Sequence, residues 1–175
     1  MNIINNSRMK IESKIYRAFL CTMTVIVVSS TGMKAQDISR DKGSVVKDLI
    51  SSKHFVFNAE SVLPSNGRLR ILNSGEQMDL NGDTLTTDLP YFGRAYTAPI
   101  DPSEGGFHFT STEFDYNVKE KKRGGWDVSI KPRDNSDVRQ LALNVSPGGS
   151  AILQVTSNNR QFISFNGHIN QRKAK

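Results

Sequence analysis

Cysteine is almost missing from this chain of 175 residues, which contains only Cys21. That residue lies in an apolar stretch near the N-terminus that we predict to be removed during export. The mature chain then contains no thiol, so it can form no disulfide and has no cysteine nucleophile. The hydrophobic core alone must therefore hold the mature domain together.

Hydrophobic runs long enough to span a bilayer are also missing. The apolar run Ala18–Val28 has 11 residues, whereas a transmembrane helix needs about 20. The run follows basic residues and precedes small residues that end at Ala35, an order typical of a secretory signal peptide. Because Cys21 follows Leu20 inside the run, it does not resemble a lipoprotein cysteine. We predict a signal peptide over residues 1–35, export to the periplasm or beyond the cell, and no membrane span in the mature protein.

Without the predicted signal peptide, the chain has no large excess of basic or acidic residues. The chain has 23 basic and 17 acidic residues, of which residues 1–35 hold five and one. The remaining 18 basic and 16 acidic residues give a net charge of +2. Since nucleic-acid-binding domains are usually strongly basic, nucleic acid is not an expected partner. The basic run Lys119–Arg123 falls at a predicted hairpin tip, where charge serves solubility and protects sheet edges.

The sequence does contain one helical pattern followed by many strand patterns. Between Asp41 and Ser52, Val45 and its apolar neighbours recur at helical spacing, and Asp41 or Ser44 can serve as the N-cap. After this segment the apolar period changes to two, which is typical of strands bounded by Gly, Pro or Asn. The alternating pairs are Phe55 and Phe57, Leu69 and Ile71, Met78 and Leu80, and Phe107 and Phe109.

The register of the later hairpins follows from which residues must share the apolar face. A three-residue loop ending at Gly124 places Val118 opposite Val128 and requires Gly124 to be left-handed, whereas a two-residue turn would set polar residues against apolar ones. The same matching pairs residues 141–145 with 151–155, and Val155 with Ile163.

Strands joined by short hairpins, each with one apolar face, must close into a barrel or be covered by a second sheet. We therefore predict a mainly β fold over residues 36–170. It is an antiparallel meander that forms a small barrel or barrel-like sandwich, with one short N-terminal amphipathic helix. Residues 171–175 are predicted to be a frayed basic tail.

Two acidic patterns suggest chemistry, but each has a simpler interpretation. Glu113 and Asp115 share one side of a predicted strand about 7 Å apart, a separation found in inverting glycosidases. They lie opposite the apolar face, so we interpret them as solvated. Asp79, Asn81 and Asp83 resemble the start of a calcium loop, but the glycine and glutamate that such a loop requires are absent. A turn around Asn81 is the preferred interpretation, and we predict neither a metal nor a cofactor.

The histidines and one serine suggest no catalytic set. His54, His108 and His168 lack metal-ligand spacing. His108 lies between two phenylalanines of the apolar face, so it is predicted to point outward as an exposed or hydrogen-bonded residue. Ser150 lacks the second glycine of a nucleophile elbow. We therefore name no catalytic residue.

The segment 89–99 is the strongest candidate for a binding site. Two prolines bracket three aromatic residues and an arginine, without clean alternation. Aromatic faces beside an arginine can stack on a sugar, an aromatic ligand or a peptide. The alternative is a bent strand that plugs one barrel end with its aromatic side chains in the core. The predicted ligand-binding residues are Tyr91, Phe92, Arg94 and Tyr96.

Three stretches, residues 89–99, 105–109 and 155–169, together resemble an exported family catalogued as domain of unknown function 4251, from anaerobic Gram-negative gut bacteria. The resemblance extends from about Lys47 to Ile169. It implies a β-rich periplasmic protein. It implies no activity, and no functional residue is carried over from it.

The sequence leaves three functions open. It also leaves open whether the protein is an enzyme, although a non-enzyme is favoured. The first is a non-catalytic periplasmic binding or envelope-interaction module for a small molecule, glycan or protein. The second is a glycan or envelope-polymer hydrolase, and the third a protein inhibitor or scaffold. Two carboxylates and a histidine meeting in a cleft would favour the hydrolase. An apolar cavity lined by Tyr91, Phe92 and Tyr96 would favour binding, and an exposed apolar patch without a pocket would favour the scaffold.

Overall fold

The structure, a computed structural model, describes residues 34–65, 67–96 and 105–172, with side chains from residue 42 onward. Residues 1–33 of the predicted signal peptide and residues 173–175 of the predicted tail lie outside the described residues. In the described ranges, no helix is long and apolar enough to cross a membrane.

One helix, α1, extends over Lys34–Ser52. It begins well before Asp41, so the predicted N-cap is wrong: Asp41 and Ser44 both lie inside the helix. No proline or glycine interrupts the sequence between Lys34 and Lys42, which lets the helix continue in that direction. Lys53 takes a left-handed conformation with φ of 55°, which ends the helix directly before the first strand.

The strands follow α1 in short succession. They are β1 (His54–Pro64), β2 (Arg70–Ile71), β3 (Gln77–Asn81), β4 (Thr84–Pro90), β5 (Gly106–Ser111), β6 (Phe114–Glu120), β7 (Trp126–Pro132), β8 (Val138–Val145), β9 (Ser150–Ser157) and β10 (Ile163–Asn170). Short hairpin connections join most of them, and neighbouring strands are antiparallel, as the period-two pattern and turn residues predict.

The strands form one sheet in the order β5-β4-β3-β1-β10-β9-β8-β7-β6, with β2 paired to β1. The sheet is nearly closed into a barrel, which confirms the predicted antiparallel β fold with one N-terminal helix. The pairing of β1 with β10 joins the first strand to the last. This pairing puts residues near 56 beside residues near 170.

The predicted hairpin registers are confirmed. Val118 lies opposite Val128, and Gly124 is left-handed with φ of 85°. The strands of the next two hairpins also pair as predicted, with Leu143 opposite Leu153 and Val155 opposite Ile163. Matching of apolar faces therefore identifies the correct register wherever two consecutive strands each bury one face.

The core fills the inside of the sheet and is covered at one end by α1. Phe55, Phe57, Phe107 and Phe165 are among its largest fully buried side chains. The prediction for β2 is wrong in one respect, because Leu69 and Ile71 do not enter the core, and Ile71 is 80% exposed. Within the described ranges β2 pairs with β1 alone, so no second described strand covers this two-residue strand.

The side chains of Tyr116 and Asp134 connect parts of the fold where strands do not pair. The hydroxyl of Tyr116 donates a hydrogen bond to the carbonyl oxygen of Ile50 at 2.8 Å, which joins β6 to the end of α1. Burial raises the pKa of this hydroxyl. Asp134 accepts a hydrogen bond from the hydroxyl of Ser111 and one from the backbone N–H of Thr112 at 2.9 Å. These bonds hold the turn between β5 and β6, the two strands at the ends of the sheet order.

Candidate functional site

A groove of about 1570 Å³ lies between one side of α1 and the outer face of β1, β3 and β10. Its helical wall includes Val45, Asp48 and Leu49, and its far end includes Arg172. Val45 is 49% exposed, although its spacing predicts a place in the core. The apolar stripe of α1 is therefore wider than the core covers, and its remaining part lines the groove.

The floor of the groove consists of outward-facing side chains in two rows across three strands. In the first row, Asn58 lies opposite both Gln77 and His168. In the second row, Val56 lies opposite both Asp79 and Asn170. Because neighbouring strands are about 4.8 Å apart, the rows present amide, imidazole and carboxylate groups at close intervals. Amides and imidazoles can both donate and accept hydrogen bonds.

Asp79 is the most enclosed charged group of the groove, with a side chain that is 20% exposed. Its Oδ2 atom lies 3.3 Å from Nε of Arg172. Its Oδ1 atom is buried and accepts no hydrogen bond from the part of the chain that the structure describes. A buried carboxylate oxygen without a donor is costly, so a donor that reached Oδ1 would stabilise this carboxylate.

Both imidazoles of the groove have their Nδ1 atoms engaged. Nδ1 of His54 lies 2.5 Å from the carbonyl oxygen of Ser52, and since a carbonyl only accepts, this nitrogen must donate. Nδ1 of His168 lies 2.8 Å from Oε1 of Glu60. These bonds fix the orientation of each ring and leave Nε2 of His54 as an acceptor in its neutral form. Among the described residues, no three His, Asp, Glu or Cys side chains form a group that could hold a metal ion.

Of the four residues predicted to bind a ligand, Tyr91 has an evident structural role. Its hydroxyl is within hydrogen-bonding distance of the carbonyl oxygens of Arg94, at 2.7 Å, and Gln161, at 3.2 Å. Its ring meets that of Phe107 edge-on at 5.5 Å. Burial raises the pKa of the Tyr91 hydroxyl, although the bond to Gln161 and the charge of Arg160 act in the opposite direction.

The other three residues of that prediction are exposed. Phe92 lies under the guanidinium of Arg70 at 4.9 Å, Arg94 is exposed, and Tyr96 is 71% exposed. The backbone N–H of Tyr96 donates to the carbonyl oxygen of Asn159 at 2.7 Å, which attaches this segment beside the loop between β9 and β10. None of the four residues lines the groove, and their role in binding stays a prediction.

Arg160 positions the aromatic segment, and sequence reasoning missed it. It forms an ion pair with Asp137 at 3.2 Å and donates to the carbonyl oxygen of Gly106 at 2.7 Å. Its guanidinium also lies over the rings of Tyr91, at 5.4 Å, and Phe107, at 5.1 Å. Arg160 follows two asparagines in a predicted turn, where an arginine is ordinarily solvated, so local spacing gives no signal for this role.

The remaining acidic and histidine candidates lie outside the groove. Asp115 is paired with Arg133 on the outer face of β6 and β7, and this bond raises the pKa of the Arg133 guanidinium. His108 points outward, as predicted, and its Nδ1 lies 2.6 Å from Oδ1 of Asp88. The turn predicted around Asn81 is present, with Gly82 at φ of 62°.

A set of exposed apolar side chains lies toward the barrel end opposite α1. Leu63 is on the outer face of β1, and Leu69 and Ile71 follow on or beside β2. Phe162 precedes β10, and Phe92 belongs to the aromatic segment. The protein thus combines a groove with exposed apolar side chains, whereas the scaffold hypothesis expects no pocket.

Comparisons with known proteins bear on the fold and the family. The family described as domain of unknown function DUF4251 matches residues 39–169. A similar solved structure is the crystal structure of a DUF4251 family protein from Bacteroides eggerthii, with 18% identity and a TM-score of 0.55. The alignment covers 77% of this chain and 88% of that one, and at this identity it shows the fold alone. No curated protein matches the sequence. The extent of the family match shows that the chain belongs to the DUF4251 family.

Proposed function

We propose that the protein is a non-catalytic periplasmic binding module whose ligand occupies the groove between α1 and the outer face of β3, β1 and β10. The observation that carries this proposal is the two rows of largely polar side chains on the groove floor, beside the apolar side chains of Val45 and Leu49 on the helical wall. Ligand sites typically combine apolar lining with a few fixed polar groups. The ligand is accordingly a polar molecule, such as a glycan or a peptide, that has both hydrogen-bonding groups and apolar parts.

The geometry of the groove suits recognition because its polar groups are held in place. Asn58 is half-buried and sits between two strands whose register fixes its neighbours. The ring of His168 is oriented by Glu60, and that of His54 by the Ser52 carbonyl. Groups that are already oriented lose little entropy when a ligand binds.

A thermal-shift screen tests the proposal with soluble glycans, bile acids, fatty acids and peptides as probes. Wild type is compared with Asn58→Ala, which removes a groove amide, and with Tyr96→Ala, which alters the aromatic segment. We expect a probe that raises the melting midpoint of wild type and Tyr96→Ala but not of Asn58→Ala. If Tyr96→Ala is the variant that loses the shift, the binding site is the aromatic segment. If no probe shifts wild type, the binding proposal fails.

A hydrolase is the second candidate because Asp48 and Asp79 line the same groove as His54 and His168. Binding is favoured because the Nδ1 atoms of both histidines are engaged, that of His168 by Glu60 and that of His54 by the Ser52 carbonyl. The test is the release of new reducing ends from the glycan probes. Product formation that Asp79→Asn abolishes would replace the binding proposal with hydrolysis.

A further inference from the structure

We infer that the groove recognises a guanidinium group, the side chain of an arginine in a peptide partner, and that Asp79 is its anchor. Arg172 occupies this anchor from within the chain and is the competitor that the partner displaces. The inference rests on the proposed function, because it names the ligand chemistry of the same groove. Three observations support it: the charge of the groove, the geometry at Asp79 and the position of Arg172.

The charge of the groove favours a cation. Its described lining carries the carboxylates of Asp48 and Asp79, and within the described residues Arg172 is the one lysine or arginine among the lining side chains. The lining side chains that the helix and the three strands contribute therefore include two carboxylates and no lysine or arginine, and Arg172 partly neutralises them. A cleft lined by one sign of charge concentrates ligands of the opposite sign.

The carboxylate of Asp79 has an ion-pair partner at one oxygen only, among the described residues. Arg172 approaches Oδ2 through Nε at 3.3 Å, while Oδ1 is buried and receives no donor from the described chain. A guanidinium can donate two parallel N–H bonds to the two oxygens of one carboxylate, which is its strongest geometry. Oδ1 is buried while Arg172 is in place, so a ligand guanidinium reaches both oxygens only by displacing Arg172. Since it is not attached to β10, it is then free to take the two-bond geometry.

The position of Arg172 makes this exchange feasible. It lies two residues beyond the end of β10 at Asn170, and its side chain is 44% exposed. An ion pair at this exposure contributes little, so Arg172 reduces the affinity of a competing ligand by about fivefold or less. The Asp79–Arg172 pair shows that the groove accepts a guanidinium, and its weakness permits replacement.

The test uses two peptides, acetyl-Gly-Arg-Gly-amide and the same peptide with citrulline in place of arginine, titrated into ¹⁵N-labelled protein. Citrulline keeps the shape of arginine but carries no charge. We expect the arginine peptide to shift the amide signals of Val56, Asp79 and Asn170, and to bind at least about tenfold more tightly than the citrulline peptide.

Three variants complete the test. Asp79→Asn should weaken the arginine peptide by about tenfold or more, whereas Asp83→Asn, which removes a 96% exposed carboxylate of the β3–β4 turn, should leave its affinity unchanged. Arg172→Ala should tighten binding by about two- to fivefold, since the internal competitor is gone. Equal affinity for the two peptides, or weaker binding by Arg172→Ala, would overturn the inference.

A neutral oligosaccharide separates this inference from the proposed function. If maltohexaose shifts the groove signals in an Asn58-dependent way while the arginine peptide does not bind, the guanidinium inference fails and the binding module stands. If neither probe shifts the groove signals in wild type or Arg172→Ala, the guanidinium inference fails, and the proposed function loses its support as well.

Discussion

The guanidinium of Arg160 lies 5.4 Å from the ring centroid of Tyr91, and this contact joins the loop between β9 and β10 to the aromatic segment that follows β4. The same guanidinium is paired with Asp137 at 3.2 Å, and the Arg160 side chain is only 13% exposed. One side chain thus combines an ion pair, a backbone hydrogen bond and two aromatic contacts. These contacts connect Asp137, Gly106 and the aromatic segment to the loop between β9 and β10.

Arg160→Ala should therefore destabilise the protein by about 2–3 kcal/mol, because it removes the cation paired with Asp137 and the Arg160 donor to the Gly106 carbonyl. Arg160→Lys keeps the charge but loses the planar guanidinium, so its stability should lie between those of wild type and Arg160→Ala. Urea denaturation measures both, with Arg123→Ala at an exposed hairpin tip as the control expected within about 0.5 kcal/mol of wild type. An unchanged midpoint for Arg160→Ala would contradict this role.

Gly124→Val tests the register of the β6–β7 hairpin. Gly124 has φ of 85°, and an added Cβ would lie 3.2 Å from Cγ of Pro147. A β-branched residue there should cost about 1 kcal/mol or more. Gly148→Val is the matched control, since Gly148 is not left-handed and a Cβ there meets only Oγ of Ser146 at 3.9 Å. A melting temperature of Gly124→Val equal to that of wild type would count against the strained position.

Asp134 should make the stability of the barrel depend on pH. The hydrogen bonds from Ser111 and Thr112 lower its pKa below the ordinary value of 3.8. A carboxyl group whose pKa is lower in the folded state stabilises that state above its unfolded pKa, and the contribution is lost as the pH falls through the folded pKa. Asp134→Asn should accordingly melt below wild type at pH 7, and the difference should shrink between about pH 4 and pH 2. A difference that is constant over this range would show that ionisation of Asp134 is not involved.

Tyr116→Phe should loosen the attachment of α1 to the barrel. The variant removes the hydroxyl that donates to the Ile50 carbonyl at 2.8 Å and should cost about 1 kcal/mol. Hydrogen exchange should accelerate in the last turn of α1 and remain unchanged in β9. Uniform acceleration across both elements would indicate a global loss of stability without a specific role at the helix end.

Much of the C-terminal half could be predicted from the sequence because its contacts are local. Val118 opposite Val128 and Leu143 opposite Leu153 each follow from two adjacent strands, a short loop and one apolar face. A shift by one residue would expose the apolar side chains and bury the polar ones, so only one register is compatible with a packed core.

The groove could not be predicted in this way, because it depends on the pairing of β1 with β10. Asn58 and His168 are 110 positions apart in the chain but lie opposite each other across the two strands. No turn connects these strands, so no loop length fixes their register. Val45 also belongs to an apolar helical pattern whose spacing cannot show which of its residues the core covers.

The aromatic segment shows how one pattern can satisfy two interpretations. Tyr91 packs on the core beside Phe107, in the manner of a plug at the barrel end, whereas Phe92 and Tyr96 are exposed. The sequence does not separate these outcomes because the segment lacks alternation. Its geometry is set instead by Arg160, which is distant in the sequence.

The central claim, that the ligand site is the groove, is tested most directly by mapping amide chemical shifts with glycan and peptide probes. A ligand in the groove should shift signals at residues 56–58, 77–79 and 168–170, and Asn58→Ala should abolish these shifts. Shifts confined to residues 91–96 and 159–163, unaffected by Asn58→Ala, would contradict the claim and place the site on the aromatic segment.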